Sequence, residues 1–348
     1  MRLCAALTLA LLAAGAASAA TPFFPIEDIK PGMKGIGRTV FSGGLIEEFQ
    51  VEILGVLENF GPGQSLILAR LSGGPIERTG VMQGMSGSPV YIDGKLVGAV
   101  AMAFPFSKEP IAGIRPIAEM IPVGDIPRAA PARIAGLGSG LLAGLPKRME
   151  AVFGASRLAE ISTPVSFSGF TRETMERFAP QLRTLGLEPL QGVSGGGRTS
   201  SAMGNPAALK PGSMISVQLV TGDLSIGADG TVTHIDGEKV YAFGHRFMAV
   251  GTTDLPFARA DVLALLPSVQ SSFKISTARE LMGVISQDRN TAVAGVLGRR
   301  AAMVPVSIRV TGAGGISSCS LSLTANLNPR LIRAMHRTTR SPPSEGNA

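Results

Sequence analysis

Short apolar runs separated by glycine and proline recur along most of the chain. Residues 50–57 and 65–71 are two such runs, and similar ones extend from about residue 210 to residue 327. Runs of this length between turn-forming residues are typical of β-strands. Glycine accounts for 44 of the 348 residues, which suits a fold with many tight turns. The pattern therefore predicts a mainly β protein built from two β blocks.

The strongest hairpin signal lies in residues 89–100, where Asp93-Gly94 separates two apolar runs. Both turn residues of such a hairpin take positive φ, which an Asp-Gly pair tolerates well. Ser86 stands just before this hairpin, in the segment 84–89, which reads Gly-Met-Ser-Gly-Ser-Pro. A serine on a tight turn can present its hydroxyl to a substrate carbonyl while backbone N–H groups point at the oxyanion. Ser86 is therefore a candidate nucleophile.

The two β blocks share short sequence similarities. A Lys-Pro-Gly triplet opens each block, at Lys30 and at Lys210, and the Asp-Gly pair at Asp93 has a counterpart at Asp236. Each similarity is short enough to arise by chance. Together they predict two β-barrels of one plan, with an active site in the cleft between them.

The segment between the blocks is rich in alanine, glycine and proline. Apolar residues at helical spacing from Phe170 to Leu185 predict a short helix that ends at Gly186. The chain near residues 145–153 is also expected to be partly helical. The expected organisation is a signal peptide at 1–20, a β-barrel half with the candidate nucleophile at 21–123, a linker with a small helical insert at 124–200, a second β-barrel half at 201–328 and a basic flexible tail at 329–348.

The N-terminus has the pattern of a secretory signal peptide. Arg2 precedes an apolar run that ends in the small-residue cleavage site Ala17-Ser18-Ala19. The run is short for a membrane span, and an uncleaved anchor is the alternative. We expect an exported protein, periplasmic or extracellular, with no stable membrane span after cleavage. Of the two cysteines only Cys319 would then remain, so no internal disulfide is expected.

Charge and ligand patterns argue against several classes of function. The net charge of +7 is mild, and its densest part is the stretch from Arg330 to Arg340. With few aromatic residues and no stacking pattern, this charge does not support nucleic-acid binding. The cysteines and histidines have no zinc-site spacing, and the glycine-rich residues 194–198 lack the ending of a phosphate loop. No metal or cofactor is expected.

A serine nucleophile needs a general base, and the chain has three histidines. His336 lies in the basic tail and is expected to be solvated. His234 is expected to be an exposed strand residue beside a hairpin turn. His245 follows the apolar run 240–244, which places its imidazole at a strand end with a glycine beside it. The alternative for His245 is a structural histidine that caps this strand.

Three segments resemble the SpoIVB-type serine peptidases. Residues 83–100 are similar to the nucleophile segment of that family and residues 229–245 to its histidine segment, while residues 280–295 are similar to the stretch that follows. The resemblance implies two chymotrypsin-like β-barrels and an exported serine endopeptidase or self-processing peptidase. The implied partner is a protein or peptide substrate, the chain itself included.

The resemblance also implies roles for individual residues. Ser86 would be the nucleophile and His245 the general base. The backbone N–H groups of Gly84 and Ser86 would be the donors of the oxyanion hole. Separately, Phe104 to Pro110 follows the serine hairpin, where chymotrypsin-like folds build the walls of the substrate pocket, so it is a candidate specificity loop; a simple turn is the alternative.

The chain departs from this family in two respects. Ser86 precedes His245, whereas the family has histidine, aspartate and then serine; a circular permutation of two barrels would preserve the spatial site. The position of the family's acid falls on Leu71, so an orienting acid must come from elsewhere. Asp254 is the first candidate and Glu77 the second, although Asp254 could equally form a turn and Glu77 could be a solvated loop residue.

Two alternatives to a complete triad stay open at this point. One is a Ser-His dyad that works without an acid. The other is a catalytically inactive exported β-protein that keeps the protease fold for peptide or partner binding, and the missing acid favours it.

Overall fold

The computed structural model describes residues 21–127, 150–153, 156–184, 187–191, 200–310 and 319–325. These residues form nineteen β-strands, three α-helices and two short 3-10 helices. The mainly β class predicted from the apolar runs is confirmed. The predicted signal peptide, the glycine-rich residues 194–198 and the basic tail lie outside the described residues. Within the described ranges, no helix combines the length and the apolar character needed to cross a membrane.

The N-terminal half forms a closed antiparallel barrel. Its strands are β1 (Lys34–Ser42), β2 (Leu45–Gly61), β3 (Gln64–Ser72), β4 (Pro89–Ile92), β5 (Lys95–Ala103) and β6 (Ile111–Pro116). Neighbouring strands run in the order β1-β2-β3-β6-β5-β4, and β4 pairs with β1 to close the ring. Fully buried side chains such as Phe49, Ile53 and Leu71 fill its interior, as expected for a barrel of this size.

Two further strands extend this first sheet, and eleven others form the second sheet. They are β7 (Glu150–Phe153), β8 (Ser156–Glu160), β9 (Thr163–Ser168), β10 (Leu187–Gln191), β11 (Ser200–Met203), β12 (Met214–Gly222), β13 (Ser225–Asp236), β14 (Lys239–Ala242), β15 (Gly251–Leu266), β16 (Phe273–Arg289), β17 (Ala292–Leu297), β18 (Val304–Val310) and β19 (Cys319–Ala325). Six of them close into a second antiparallel ring in the order β12-β13-β14-β17-β16-β15.

Both rings follow the same path: first, second, third, sixth, fifth and fourth strand. The Lys-Pro-Gly turns occupy equivalent places, directly before β1 and β12. Gly32 and Gly212 both take positive φ, of 85° and 95°. Each donates its N–H at 2.8 Å to the second strand of its own barrel, Gly32 to the oxygen of Ile53 and Gly212 to that of Val232. The predicted common plan is therefore present in both topology and turn geometry.

The other sequence similarity is not part of this duplication. Asp93-Gly94 joins β4 to β5, the fourth and fifth strands of the first barrel, with φ of 48° and 73°. Asp236 ends β13, so its turn joins the second and third strands of the second barrel. The two Asp-Gly pairs therefore form hairpins at different places in the two barrels. An Asp-Gly pair favours a tight hairpin turn wherever it occurs, so it does not indicate which strands the turn connects.

The segment predicted as a linker contributes strands to both sheets. β7 and β8 extend the first sheet from β5, and β9 and β10 extend the second from β13. The helix predicted at 170–185 is present, but the helical expectation for 145–153 is wrong at residues 150–153, which form β7; residues 145–149 lie outside the described ranges. The three helices are α1 (Ile76–Thr79), α2 (Ile117–Asp125) and α3 (Arg172–Thr184).

Helix α2, which the sequence analysis did not predict, joins the two barrels. Ile117, Met120 and Val123 are buried on one face, at a spacing of three residues. They share an apolar cluster with Tyr91 from the first barrel and Tyr241 from the second. The predicted domain boundary at residue 123 thus falls inside an element that packs against both halves.

Candidate active site

The two candidate catalytic residues occupy equivalent connections of the two barrels. Ser86 lies between β3 and β4, the third and fourth strands of the first barrel. His245 lies between β14 and β15, the third and fourth strands of the second. The internal duplication therefore provides each barrel with one candidate residue at the same topological position.

The turn that carries Ser86 is docked on strand β13 of the second barrel. The carbonyl oxygen of Ser86 accepts the N–H of Thr231 at 2.8 Å. The carbonyl of Gly84 accepts the Thr231 hydroxyl at 2.8 Å, and that of Gly87 accepts the Thr233 hydroxyl at 2.7 Å. Three carbonyls of the turn are thus fixed by residues of the other barrel, which limits rotation of its peptide groups.

The N–H groups of this turn fall into two sets. Gly87 donates to the Val100 carbonyl at 2.8 Å, and Ser88 donates to the Met85 carbonyl at 2.9 Å. In contrast, the N–H groups of Gly84 and Ser86 donate no hydrogen bond to any described residue. Buried N–H groups normally have an acceptor. The two N–H groups expected to form the oxyanion hole are therefore the two that the turn leaves without one.

The Ser86 hydroxyl is enclosed. Ser86 is 0% exposed, and its Oγ makes no hydrogen bond to a described residue. The Ser88 hydroxyl is equally buried and also without a bond among the described residues. The hydrogen bond expected between Ser86 Oγ and the imidazole of His245 is not formed in this structure. A substrate could reach Oγ only after neighbouring side chains move.

The turn that carries His245 is docked on strand β5 of the first barrel. β14 ends at Ala242, and the N–H of Gly244 donates to the Ala242 carbonyl at 2.9 Å, which closes a three-residue turn. Phe243 and Gly244 both have positive φ, of 71° and 69°. For a bulky residue such as Phe243 this conformation costs about 1–3 kcal/mol and persists only where the surroundings impose it.

Next to Phe243, this turn also packs closely against the first barrel. A Cβ added at Gly244 would lie 3.0 Å from the Cβ of Ala99 and 3.1 Å from that of Ala101. A Cβ added at Gly87 would lie 1.9 Å from the Thr231 oxygen and 2.5 Å from the Phe243 nitrogen. Both turns therefore meet in one interface, where a glycine next to each candidate residue allows the backbones to approach closely.

His245 itself is buried, with 1% of its surface exposed. Its Nδ1 lies 2.6 Å from the carbonyl oxygen of Arg246. A carbonyl oxygen only accepts hydrogen bonds, so Nδ1 is the protonated nitrogen of the ring. The neutral imidazole then has its lone pair on Nε2, which is the tautomer that a general base for serine requires.

A buried carboxylate that sequence reasoning missed holds the chain after His245. Asp288, at the end of β16, accepts the N–H of Phe247 and that of Met248 at 2.8 Å each, and the N–H of Val250 at 3.1 Å. Burial raises the pKa of the Asp288 carboxyl, and the three N–H donors and the charge of Arg246 act against this rise. The only signal in the sequence is an acid at the end of an apolar strand.

The side chain of Arg246 is also anchored inside the protein. Its Nε lies 3.5 Å from a carboxylate oxygen of Glu160, and the two side chains are 7% and 2% exposed. Glu160 ends β8, in the segment that had been expected to be a linker. The residue after the candidate base is thus fixed through its side chain to the first sheet and through its neighbours to Asp288.

The two acids predicted as orienting groups have other partners. The Asp254 carboxylate accepts from the guanidinium of Arg299 and, at 2.9 Å, from the N–H of Ala302. Glu77 lies in α1, is exposed, and accepts the N–H of Gly73 at 2.8 Å. Both carboxylates therefore stabilise local loop structure, and Leu71 is a buried core residue.

Lys274 is a second functional candidate that the sequence analysis missed. It is buried in the interface, and its Nζ donates to the Thr39 hydroxyl at 2.7 Å. Burial lowers its pKa to about 7. A Cβ added at Gly84 would lie 3.2 Å from Cδ of Lys274 and 3.2 Å from Cε of Met214, so both side chains pack beside the serine turn.

One histidine prediction is wrong. His234 is not exposed but 7% accessible, with its ring stacked on Tyr241 and in edge contact with Phe23. The N-terminal segment at Phe23 covers this face of the strand. The pattern of residues within one strand cannot predict a contact with so distant a segment. His336 lies outside the described residues. Within the described ranges, no group of three or more histidine, cysteine or acidic side chains could hold a metal ion.

Comparison with known proteins bears on the serine half of this site. The family model described as SpoIVB peptidase S55 matches residues 16–120. No curated protein and no solved structure matches the chain. The match includes residues 83–100, so the resemblance predicted there is confirmed. The histidine segment at 229–245 and the stretch at 280–295 lie beyond it.

Proposed function

We propose that this chain, whose residues 16–120 match the family model described as SpoIVB peptidase S55, is a serine peptidase with Ser86 as nucleophile and His245 as general base. The observation that carries the proposal is the state of the serine turn. Its carbonyls are bonded to the second barrel, whereas the N–H groups of Gly84 and Ser86 donate no bond within the described residues. That arrangement suits donors reserved for an oxyanion.

The proposed chemistry is acyl transfer. Ser86 Oγ attacks the carbonyl carbon of a protein substrate while Nε2 of His245 takes the hydroxyl proton. The N–H groups of Gly84 and Ser86 stabilise the negative oxygen of the tetrahedral intermediate. The protonated imidazole then gives its proton to the leaving amine, and water hydrolyses the acyl-enzyme by the same route.

Access to the serine is part of the proposal. Ser86 has no exposed surface, and Met214 and Lys274 pack beside Gly84. We propose that substrate binding displaces these side chains, which brings Oγ and the imidazole within hydrogen-bond distance. Catalytic hydrogen bonds are commonly longer without substrate and shorten in the complex.

One observation favours the second candidate function. A serine that is fully buried and makes no hydrogen bond to the imidazole also fits a catalytically inactive protein that keeps the fold to bind peptides or partners. Such a protein would retain the turn geometry because it holds the two barrels together.

Covalent labelling by a fluorophosphonate probe separates these functions. We expect the probe to label the wild-type protein and the Ser88→Ala variant, but not the Ser86→Ala variant. Ser88 is the matched control, because its hydroxyl is equally buried and lies two residues away. Labelling that survives Ser86→Ala, or is absent from the wild type between about pH 6 and about pH 9, would contradict the peptidase and support the binding function.

We also propose export, with processing near Ala20. The chain directly after this point is already bonded into the first barrel: the Pro22 carbonyl accepts from Leu96, and Phe24 donates to Leu96, each at 2.9 Å. N-terminal sequencing of extracytoplasmic protein should read Ala20 or Thr21 first. An intact Met1 terminus on protein recovered from the cytosol would overturn this proposal.

A further inference from the structure

We infer that the carbonyl of Arg246, held by Asp288, replaces the acid of the triad in orienting His245. The inference rests on the proposed function, in which His245 is the base for Ser86. Asp288 acts as a positioning residue, since it touches neither the serine nor the imidazole in this arrangement. It contacts the peptide group that lies between itself and the ring.

The first step is the bond between the ring and the carbonyl. His245 Nδ1 lies 2.6 Å from Arg246 O, so the ring donates its Nδ1 proton to this oxygen. When Nε2 takes the proton of Ser86, the Nδ1 proton stays in place and the imidazolium remains bonded to the carbonyl. An acceptor at this position stabilises the charged ring, which is the task of the triad acid.

The second step is the peptide group itself. The carbonyl of Arg246 and the N–H of Phe247 belong to one planar peptide unit, and none of the described peptide bonds is cis. Asp288 accepts that N–H at 2.8 Å. A carboxylate on the N–H side fixes the plane of the peptide and polarises its carbonyl, because hydrogen bonds in a chain strengthen one another. The charge of Asp288 therefore acts on His245 through one peptide bond.

The third step is the rigidity of the support. Asp288 also accepts from Met248 and Val250, and it is 1% exposed. The Arg246 side chain is fixed on Glu160, and its charge acts on Asp288. Asp288, Arg246 and Glu160 are thus linked to one another around the His245 turn. Together they leave the Arg246 carbonyl little freedom to rotate away from the ring.

The experiment compares Asp288→Asn with Asp254→Asn in the otherwise intact mature protein. The readout is the rate of fluorophosphonate labelling as a function of pH. We expect Asp288→Asn to lower the labelling rate about tenfold or more and to move the acidic limb of the profile to lower pH, because the weakened acceptor stabilises the imidazolium less. Asp254→Asn should leave the rate and the profile unchanged.

Other outcomes are assigned as follows. A wild-type profile in Asp288→Asn overturns the inference but leaves the peptidase standing. Loss of labelling in Asp254→Asn alone assigns the orienting role to Asp254, as the sequence suggested, and also overturns it. If the wild type is not labelled at Ser86, the proposed function itself fails. The comparison of the wild type with Ser86→Ala detects that failure, and the Asp288 and Asp254 variants do not bear on it.

A readout that needs no activity covers the case in which Asp288→Asn does not fold. In ¹⁵N-histidine-labelled Ser86→Ala protein, NMR should show the His245 ring protonated at Nδ1 and unprotonated at Nε2. His245→Gln assigns the signals. A ring protonated at Nε2 in this protein, with Asp288 intact, overturns the inference directly. Where Asp288→Asn folds, its ring should lose the single Nδ1-protonated form.

Discussion

Thr231 of the second barrel donates its backbone N–H to the carbonyl oxygen of Ser86 at 2.8 Å. Its hydroxyl donates to the carbonyl of Gly84 at the same distance. One residue thus fixes two peptide groups of the serine turn, although 145 positions separate Ser86 from Thr231 in the sequence (231 minus 86). The candidate nucleophile is therefore positioned by the barrel that does not carry it.

Removal of the Thr231 hydroxyl should affect both stability and rate. Thr231→Val keeps the side-chain shape but leaves the buried Gly84 carbonyl without its donor, which costs about 1–3 kcal/mol in the free energy of unfolding. Because Gly84 carries a proposed oxyanion donor, the labelling rate should fall as well. Urea unfolding and probe labelling measure the two effects.

Thr233→Val is the matched control for this change. It removes an equivalent hydroxyl bond, to Gly87, from the same strand. We expect a similar loss of stability and a smaller loss of rate. Equal rates in the two variants would show that the Thr231 hydroxyl has no special part in positioning the turn.

Alanine at Gly87 should separate the two barrels locally. The added Cβ would overlap the Thr231 oxygen at 1.9 Å, and φ is 94°. Gly94→Ala is the control, because Gly94 also has positive φ, of 73°, but has open space around it. We expect Gly94→Ala to cost about 1 kcal/mol, from backbone strain, and Gly87→Ala to cost about 1–3 kcal/mol more. Thermal unfolding of both variants would test this, and a similar midpoint for the two would contradict the close packing at Gly87.

Replacement of Lys274 by methionine should change how stability depends on pH. Burial lowers the Lys274 pKa from 10.5 to about 7, so between these values the unfolded chain binds a proton that the folded protein does not. Stability therefore rises with pH across this window, and the cost of the buried charge is fully present below about pH 7. Lys274→Met should remove the rise and stabilise the protein most below pH 7.

Urea unfolding at several pH values between about 6 and about 10 measures this dependence, because the range begins below the lowered pKa and extends toward the ordinary one. Lys239→Met is the control, since Lys239 is an exposed lysine paired with Asp125. The control should keep the rise in stability. A rise of equal size in Lys274→Met would mean that Lys274 is not the group that titrates.

Local sequence patterns were sufficient for the elements whose geometry is local. The hairpin at Asp93-Gly94 and the helix at 172–184 follow from turn chemistry and apolar spacing within a few residues. The Lys-Pro-Gly turns at Lys30 and Lys210 predicted the duplication, because the turn before the first strand of each barrel needs a glycine with positive φ. The serine segment was also recognisable from the sequence, because residues 83–100 form one contiguous stretch.

The tertiary structure alone decided which polar groups meet. Asp254, chosen from its closeness to His245 in sequence, bonds Arg299 and Ala302, whereas Asp288 from another strand supports the His245 turn. His234 is buried by a segment from the other end of the chain. Apolar spacing and turn residues act within one element, so they determined the strands, the turns and the serine motif. The partner of a buried charge depends on which strands close a barrel together, and that is a property of the whole fold.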